Sequence, residues 1–142
     1  MPYATLQDLL ARFGPEEIAG LTDRDGDGEP DQASIDAAAA DVDAEIDTHL
    51  AGRYSLPLAH VPLILRKLAA ALMRERLYHA AGARLDDENP ARVEAKNARR
   101  LLTELAAGRA HLPLPTHRPS AGDVQMQSTG TRWDRNSSKG FI

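Results

Sequence analysis

The sequence contains no cysteine and no long apolar run, and both absences exclude whole classes of protein. Without cysteine there are no disulfides, thiolate zinc sites or cysteine nucleophiles, which excludes thiol redox chemistry and fits a reducing compartment. No apolar run approaches the roughly 20 residues of a membrane helix, and no basic segment precedes an apolar stretch at the start. We therefore expect a protein that neither spans a membrane nor carries an export signal.

Positive charge is outnumbered by negative charge in this chain. The 142 residues include 17 Lys and Arg against 21 Asp and Glu, a net charge of -4, which disfavours a protein that coats nucleic acid through a strongly basic surface. The HExxH zinc motif, a glycine loop suited to phosphate and a nucleophile elbow are absent as well. The sequence thus predicts neither catalytic residues nor a cofactor, and we expect that the protein is not an enzyme.

Alanine and leucine dominate the composition, with 24 Ala and 18 Leu against 9 Val plus Ile and 6 aromatic residues. This balance suits closely packed helices better than sheets. Apolar residues recur at helical spacing in four segments, each of which begins near a capping residue or a first-turn proline: Thr5, Ser34, Pro62 and Asn89. We predict an all-α fold, specifically a small four-helix bundle.

Glycine and proline mark the connections between these helices. Gly14-Pro15 should stop the first helix, and a short turn should follow around Pro15 to Ala19. Leu21 to Gln32 should be a loop, because it combines glycine and proline with five acidic side chains. Tyr54 to Pro62 contains two prolines, which suits an extended elbow better than the interior of a helix or strand.

The C-terminal part of the sequence has prolines and small polar residues without apolar periodicity. We therefore divide the chain into a helical domain at residues 1–108 and a flexible, largely disordered docking tail at residues 109–142. This tail contains Trp133, which is the only Trp of the chain, and Phe141. Aromatic and Arg side chains are common anchors in interfaces, so we predict that Trp133, Arg135 and Phe141 bind a partner protein.

Acidic residues alternate with glycine in the loop that precedes the second predicted helix. Loop positions 1, 3, 5 and 9 of a calcium-binding loop are held by Asp23, Asp25, Asp27 and Asp31. Position 12, where a bidentate Glu normally closes the coordination shell, is Ser34, and Gly14, Pro15 and Gly20 interrupt the helix expected before the loop. The pattern predicts either a weak calcium site or a turn whose side chains cap backbone amides.

Charge is segregated along the chain. Residues 21–47 hold ten acids and one base, whereas residues 48–142 hold eight acids and fifteen bases. One interpretation is that these are two solvated helix faces. The other is that the acidic part of one subunit faces a neighbour's basic stripe, which consists of Arg92, Lys96, Arg99 and Arg100. Head-to-tail contacts of that kind build rings when their rotation closes.

Five stretches of the sequence resemble a family of small proteins encoded in Mu-like phages and prophages. They are YATLQDLL at residues 3–10, LTDRDGDG at 21–28, AEIDTHLAGRY at 44–54, LPL at 56–58 and the closing segment 135–141. The most distinctive run lies between Glu45 and Pro62, where IDxxLxxRYxLPL followed by VP is similar to the helix and elbow of phage head-tail connector proteins. The resemblance spans nearly the whole chain.

This resemblance implies a head-tail connector, or head-completion adaptor, that assembles as a homo-oligomeric ring beneath the portal protein. Such a ring would join the DNA-filled capsid to tail or stopper proteins, and genomic DNA would pass through its channel without sequence-specific binding. The resemblance also implies a virion protein that is assembled in the cytoplasm of the bacterial host and has no membrane partner.

Two other functions stay open at this point. A calcium-binding helical module would use the loop at residues 23–31 and would gain stability from the metal. A small DNA-binding protein would show a salt-sensitive affinity for duplex DNA. The connector interpretation requires neither property.

Overall fold

Five helices account for most of residues 1–114, the part of the chain that the computed structural model describes. They are α1 (Leu6–Phe13), α2 (Pro15–Thr22), α3 (Gln32–Leu50), α4 (Leu63–Ala80) and α5 (Pro90–Ala106). These residues contain no β-strand, so the all-α prediction is confirmed for them, whereas the predicted four helices are in fact five. The predictions for residues 115–142 lie outside the described part of the chain.

The helix missing from the prediction is α2, which occupies the segment expected to be a turn. Pro15 is its first residue, where a proline costs no hydrogen bond because the first amides of a helix have no partner inside it. Gly14 separates α1 from α2 with a φ of 85°, a conformation that glycine adopts without strain. The pair therefore ends one helix and begins the next. A helix does precede the aspartate-rich loop, contrary to expectation.

Two of the predicted helix starts, Thr5 and Asn89, cap their helices as expected. The third helix is capped by Asp31 where Ser34 was predicted, and Pro62 is the N-cap of α4 and not its first residue. The Thr5 side chain accepts a hydrogen bond from the Asp8 amide, and the Asp8 carboxylate in turn accepts one from the Thr5 amide. The Asn89 side chain accepts a hydrogen bond from the Ala91 amide, with Pro90 in the first turn of α5. The elbow between α3 and α4 has neither helix nor strand, as predicted.

The core forms where α3, α4 and α5 pack together, with α1 and α2 lying against α4. Helix α4 contributes the largest number of buried residues among the five, as its apolar sequence predicted. Its Leu65, Leu72 and Met73 are at most 1% exposed, like Ile46 of α3. Burying such side chains stabilises the fold by about 1.5–3 kcal/mol each relative to leaving them in water. None of the helices in residues 1–114 is long and apolar enough to cross a bilayer.

The N-terminus is fastened to α3 by Tyr3. Its amide donates a hydrogen bond of 2.9 Å to Asp43, and its hydroxyl donates one to Asp47. Burial of the phenol raises the pKa of Tyr3 well above its ordinary value, and the hydrogen bond to Asp47 raises it further. Neutral Tyr3 therefore contributes to stability.

Replacing Tyr3 by Phe should lower the free energy of unfolding by about 1–2 kcal/mol at neutral pH, because the bond to a charged acceptor is lost. Since the pKa is raised in the folded state, this contribution is fully present below pH of about 10 and is lost as pH rises through the folded value. Urea unfolding of both proteins across this range measures it. A difference that stays constant at high pH would contradict the assignment.

Residues 109–114 continue along the core beyond the end of α5. The amide of Leu112 donates a 3.0 Å hydrogen bond to the Tyr54 hydroxyl, and the Leu112 side chain is buried. Gly108 turns the chain with a φ of 77° beneath the Arg53 guanidinium, where a side chain would collide with it. The chain thus leaves the described domain beside the end of α3. The division into a domain at 1–108 and a docking tail at 109–142 stays a prediction.

Candidate functional site

The aspartate-rich loop is a tight turn that joins α2 to α3. Both carboxylate oxygens of Asp23 accept backbone hydrogen bonds, at 2.7 Å from the amide of Gly26 and 2.9 Å from that of Gly28. The Asp27 carboxylate accepts one at 2.8 Å from the amide of Glu29. The loop therefore has the capped-turn arrangement that was one of the two expectations.

Three of the four predicted calcium ligands come together in this turn. Carboxylate oxygens of Asp23, Asp25 and Asp27 lie within 4.8 Å of one another. The hydrogen bond from Gly28 lowers the pKa of Asp23. The amide of Asp27 has the same lowering influence on Asp25, but the hydrogen bond with Asp23 and repulsion from Asp27 outweigh it and raise the pKa of Asp25.

Asp31 stands apart from these three aspartates because it caps α3. Its carboxylate accepts hydrogen bonds from the Ala33 amide at 3.1 Å and from the Ser34 hydroxyl at 2.7 Å. The bond from Ser34 lowers the pKa of Asp31. Ser34 occupies loop position 12, where a calcium-binding loop normally has Glu, and its hydroxyl donates a hydrogen bond to Asp31.

We expect calcium to bind this loop with a dissociation constant no tighter than about 10⁻⁴ M. Three clustered carboxylates supply only part of the six to eight oxygens that calcium takes, and Ser34 provides no bidentate group. Isothermal calorimetry of the full chain measures the affinity, with Asp25→Asn as the variant that should weaken it further. Binding clearly tighter than about 10⁻⁴ M would refute this expectation.

Arg99, a member of the predicted basic stripe, pairs with acids of its own chain. Its Nε lies 2.7 Å from Glu45 of α3, and its Nη1 lies 2.7 Å from Glu75 of α4. Glu75 is 8% exposed, which makes it the one buried acid within residues 1–114. Burial alone would lower the pKa of Arg99, but the hydrogen bonds to the two glutamates raise it. Arg99 therefore holds three helices together.

The other members of the basic stripe are more open to solvent. Arg92 lies 3.1 Å from Asp87 and also donates a hydrogen bond to the Leu85 carbonyl. Lys96 and Arg100 are exposed and make no ion pair with residues 1–114. The role of the four residues at a subunit interface stays a prediction, and Arg92, Lys96 and Arg100 are the ones whose charge faces outward.

A wide cleft of about 990 Å³ borders the Arg99 network and the acidic loop. Charged side chains of both signs line it, namely Arg24, Asp41, Glu75, Arg76, Asp87, Arg92, Lys96 and Arg99. Arg76 lies 3.2 Å from Asp41 and 3.7 Å from Glu45 across the cleft. Acids of α3 thus pair within the subunit with Arg76 of α4 and with Arg99, a member of the stripe that the second interpretation places against a neighbour's acids.

A further ion pair, which sequence reasoning missed, fixes α2 against α4. Arg74 contacts both carboxylate oxygens of Glu17, at 2.6 Å and 3.1 Å, and its guanidinium lies 4.5 Å from the centre of the Phe13 ring. The Tyr78 hydroxyl donates a 3.1 Å hydrogen bond to the same Glu17. The missed helix α2 explains the omission, because Glu17 was assigned to a turn.

The predicted anchors Trp133, Arg135 and Phe141 lie outside the described residues. The described residues define a small all-α protein in which Arg74 and Arg99 pair with acids of the same chain. The family model described as Bacteriophage Mu, Gp36 matches residues 3–128. The chain therefore belongs to this bacteriophage family, which confirms the resemblance to Mu-like phage and prophage proteins.

Two relatives show the extent of the similarity. The Mu-like prophage FluMu protein gp36 of Haemophilus influenzae is 33% identical over 146 aligned positions, which cover 99% of this chain and 98% of that protein. Gene product J of Escherichia phage Mu is 44% identical over 68 positions, which cover 47% of this chain and 48% of that protein. The first similarity extends along the whole chain.

Proposed function

We propose that this protein is a head-tail connector, a virion protein that forms a ring under the portal and joins the DNA-filled capsid to the tail. The observation that carries the proposal is the run from Ile46 to Pro62, whose sequence resembles the helix and elbow of connectors. In the structure this run forms the end of α3, the elbow and Pro62, which is the N-cap residue before α4. Membership of a bacteriophage family supports the same role.

The internal charge pairing suits a subunit that must keep its shape within an assembly. Arg99 joins α3, α4 and α5, and Arg74 joins α2 to α4 and lies over Phe13 of α1, so the five helices form one connected unit. Outward-facing charges then remain for contacts with neighbours: Arg92, Lys96 and Arg100 on α5, and Asp25, Asp27 and Glu29 in the loop. Complementary surfaces of this kind steer association and fix its register.

In-frame deletion of the gene from its prophage tests the proposed role. Electron microscopy of induced lysates should then show DNA-filled heads and separate tails in place of joined particles. Adding purified protein to such a lysate should restore joining. Joined, infectious particles without the protein would contradict the proposal, as would an arrest before the heads are filled.

The two alternative functions predict different results in the same experiment. A calcium-binding module would restore joining only when calcium is present, so restoration in excess chelator argues against it. A DNA-binding regulator would change the amounts of phage proteins before any particle forms, whereas a connector leaves the amounts of head and tail proteins unchanged.

A further inference from the structure

An apolar groove lies between α1, α4 and α5. Its volume is about 480 Å³, within the range of about 300–1,000 Å³ for ligand pockets. Its apolar lining consists of Phe13, Ile64, Leu68, Ala71, Ala98 and Leu101. Phe13, Ile64 and Leu101 are only partly buried, so the groove presents apolar surface that a large side chain can cover.

Charged groups of both signs stand at the rim of this groove. Arg12 of α1 and Lys67 of α4 supply two positive charges, and α5 supplies Glu94 and the amide of Asn97. Arg12 and Lys67 are exposed and form no ion pair with any residue in 1–114. Glu94 already lies 3.3 Å from Arg74 of α4. The rim thus offers two unpaired cations, Arg12 and Lys67, to an acidic group beside an apolar anchor.

The sequence outside the described domain contains a segment with this pattern. Trp133 is preceded by Arg132 and followed by Asp134 and Arg135, so an indole is flanked by charges of both signs. Trp buries about 150–250 Å² and is a frequent anchor in pockets. We propose that Trp133 of a second copy of this chain occupies the groove, with Asp134 beside Lys67.

A second copy is the proposed occupant because the subunits of the proposed ring lie side by side. The described domain ends beside Tyr54, just past α3, whereas no residue of α3 lines the groove. Trp133 lies 19 positions after Leu114, which spans at most about 65 Å in an extended chain, enough to reach an adjacent subunit. The inference rests on the proposed function in assuming that copies lie side by side.

Trp133 is the only Trp, so the fluorescence of the full-length protein reports its surroundings without labelling. In a dilution series the emission maximum should lie at short wavelength in concentrated samples, where the indole is covered, and shift to long wavelength on dilution. Long-wavelength emission at every concentration would overturn the proposal. Short-wavelength emission independent of concentration would also overturn it, because the indole would then be buried within its own chain.

Substitutions on α5 locate the binding surface. Leu101→Glu places a charge in the groove and should abolish the concentration-dependent shift. Val93→Glu makes the same change at a position of α5 that is 40% exposed and outside the groove lining, and it should leave the shift intact. Circular dichroism checks that both variants remain helical. Equal effects of the two substitutions would refute the groove as the binding surface.

A charge exchange tests the pairing at the rim even if Leu101→Glu fails to fold. Lys67→Glu and Asp134→Lys should each move the midpoint of the shift to higher protein concentration, by about 2–5-fold for an exposed pair. The double variant should return the midpoint towards the unsubstituted value. Failure of the double variant to recover would refute the pairing. The fluorescence measurements use purified protein, so they are independent of the joining experiment. If the protein joins heads to tails but shows no fluorescence shift, this inference is refuted and the connector function remains supported.

Discussion

Particles assembled with a subunit that ends at Leu114 should be heads filled with DNA that carry no tails. The truncation removes Trp133, Arg135 and Phe141, the proposed anchors of the connection. Each anchor should contribute about 2 kcal/mol or more if it behaves as an interface hot spot, and a ring multiplies the loss over its subunits. Electron microscopy and titres of induced lysates measure the effect, which should approach complete loss of infectivity.

The truncation is informative only if the helical domain survives it. The five helices and the hydrogen bond from Leu112 to Tyr54 lie within the retained residues, so circular dichroism of the truncated protein should show unchanged helical content. Trp133→Ala in the full chain serves as the milder variant and should reduce joining without abolishing it. Normal joining by the truncated subunit, or loss of its helical fold, would contradict the docking role of this segment.

Replacing Arg99 by Ala should lower the free energy of unfolding by about 2–3 kcal/mol. The Glu75 side chain, which is 10% exposed, would lose its partner, and breaking a fully buried pair costs about 3–5 kcal/mol. The expected loss is smaller because the Arg99 side chain is 39% exposed and Arg76 still faces Glu45 at 3.7 Å. Urea unfolding followed by circular dichroism measures the difference.

Arg100→Ala is the matched control for Arg99→Ala, since it removes the same side chain from the next position of α5. Arg100 is exposed and makes no ion pair with residues 1–114, so its loss should change the stability by less than about 0.5 kcal/mol. Adding Glu75→Gln to Arg99→Ala should recover part of the stability, because the uncompensated charge is removed. Equal effects of Arg99→Ala and Arg100→Ala would show that the buried network does not stabilise the fold.

Capping residues in the sequence correctly predicted where two of the helices, α1 and α5, begin. Thr5 and Asn89 each bond the backbone a few residues onward, and such caps depend only on neighbouring sequence. Helix α2 was missed because Pro15 and Gly20 were read as interruptions. Proline is tolerated in the first turn of a helix, and one glycine costs only about 1 kcal/mol, which packing of Ile18 in the core offsets.

The side-chain contacts between distant helices were not predictable from the sequence. Arg99 meets Glu45 and Glu75 only because α3, α4 and α5 pack with those faces together, and the stripe containing Arg99 looked like an exposed surface. One signal was available: Glu75 interrupts the most apolar helix, and a buried acid requires a partner. The sequence spacing predicted that Asp23, Asp25 and Asp27 lie close together, and they do. It did not predict that Asp31 lies apart from them and caps α3.

Electron cryomicroscopy of intact particles of the phage that encodes this chain tests the connector function most directly. The proposal predicts a ring at the neck, between portal and tail, whose repeating unit fits the five helices from Leu6 to Ala106. Density for Trp133 in the groove of the adjacent unit would place the C-terminal segment as well. A neck resolved to side chains in which no repeating unit fits this chain would contradict the proposed function.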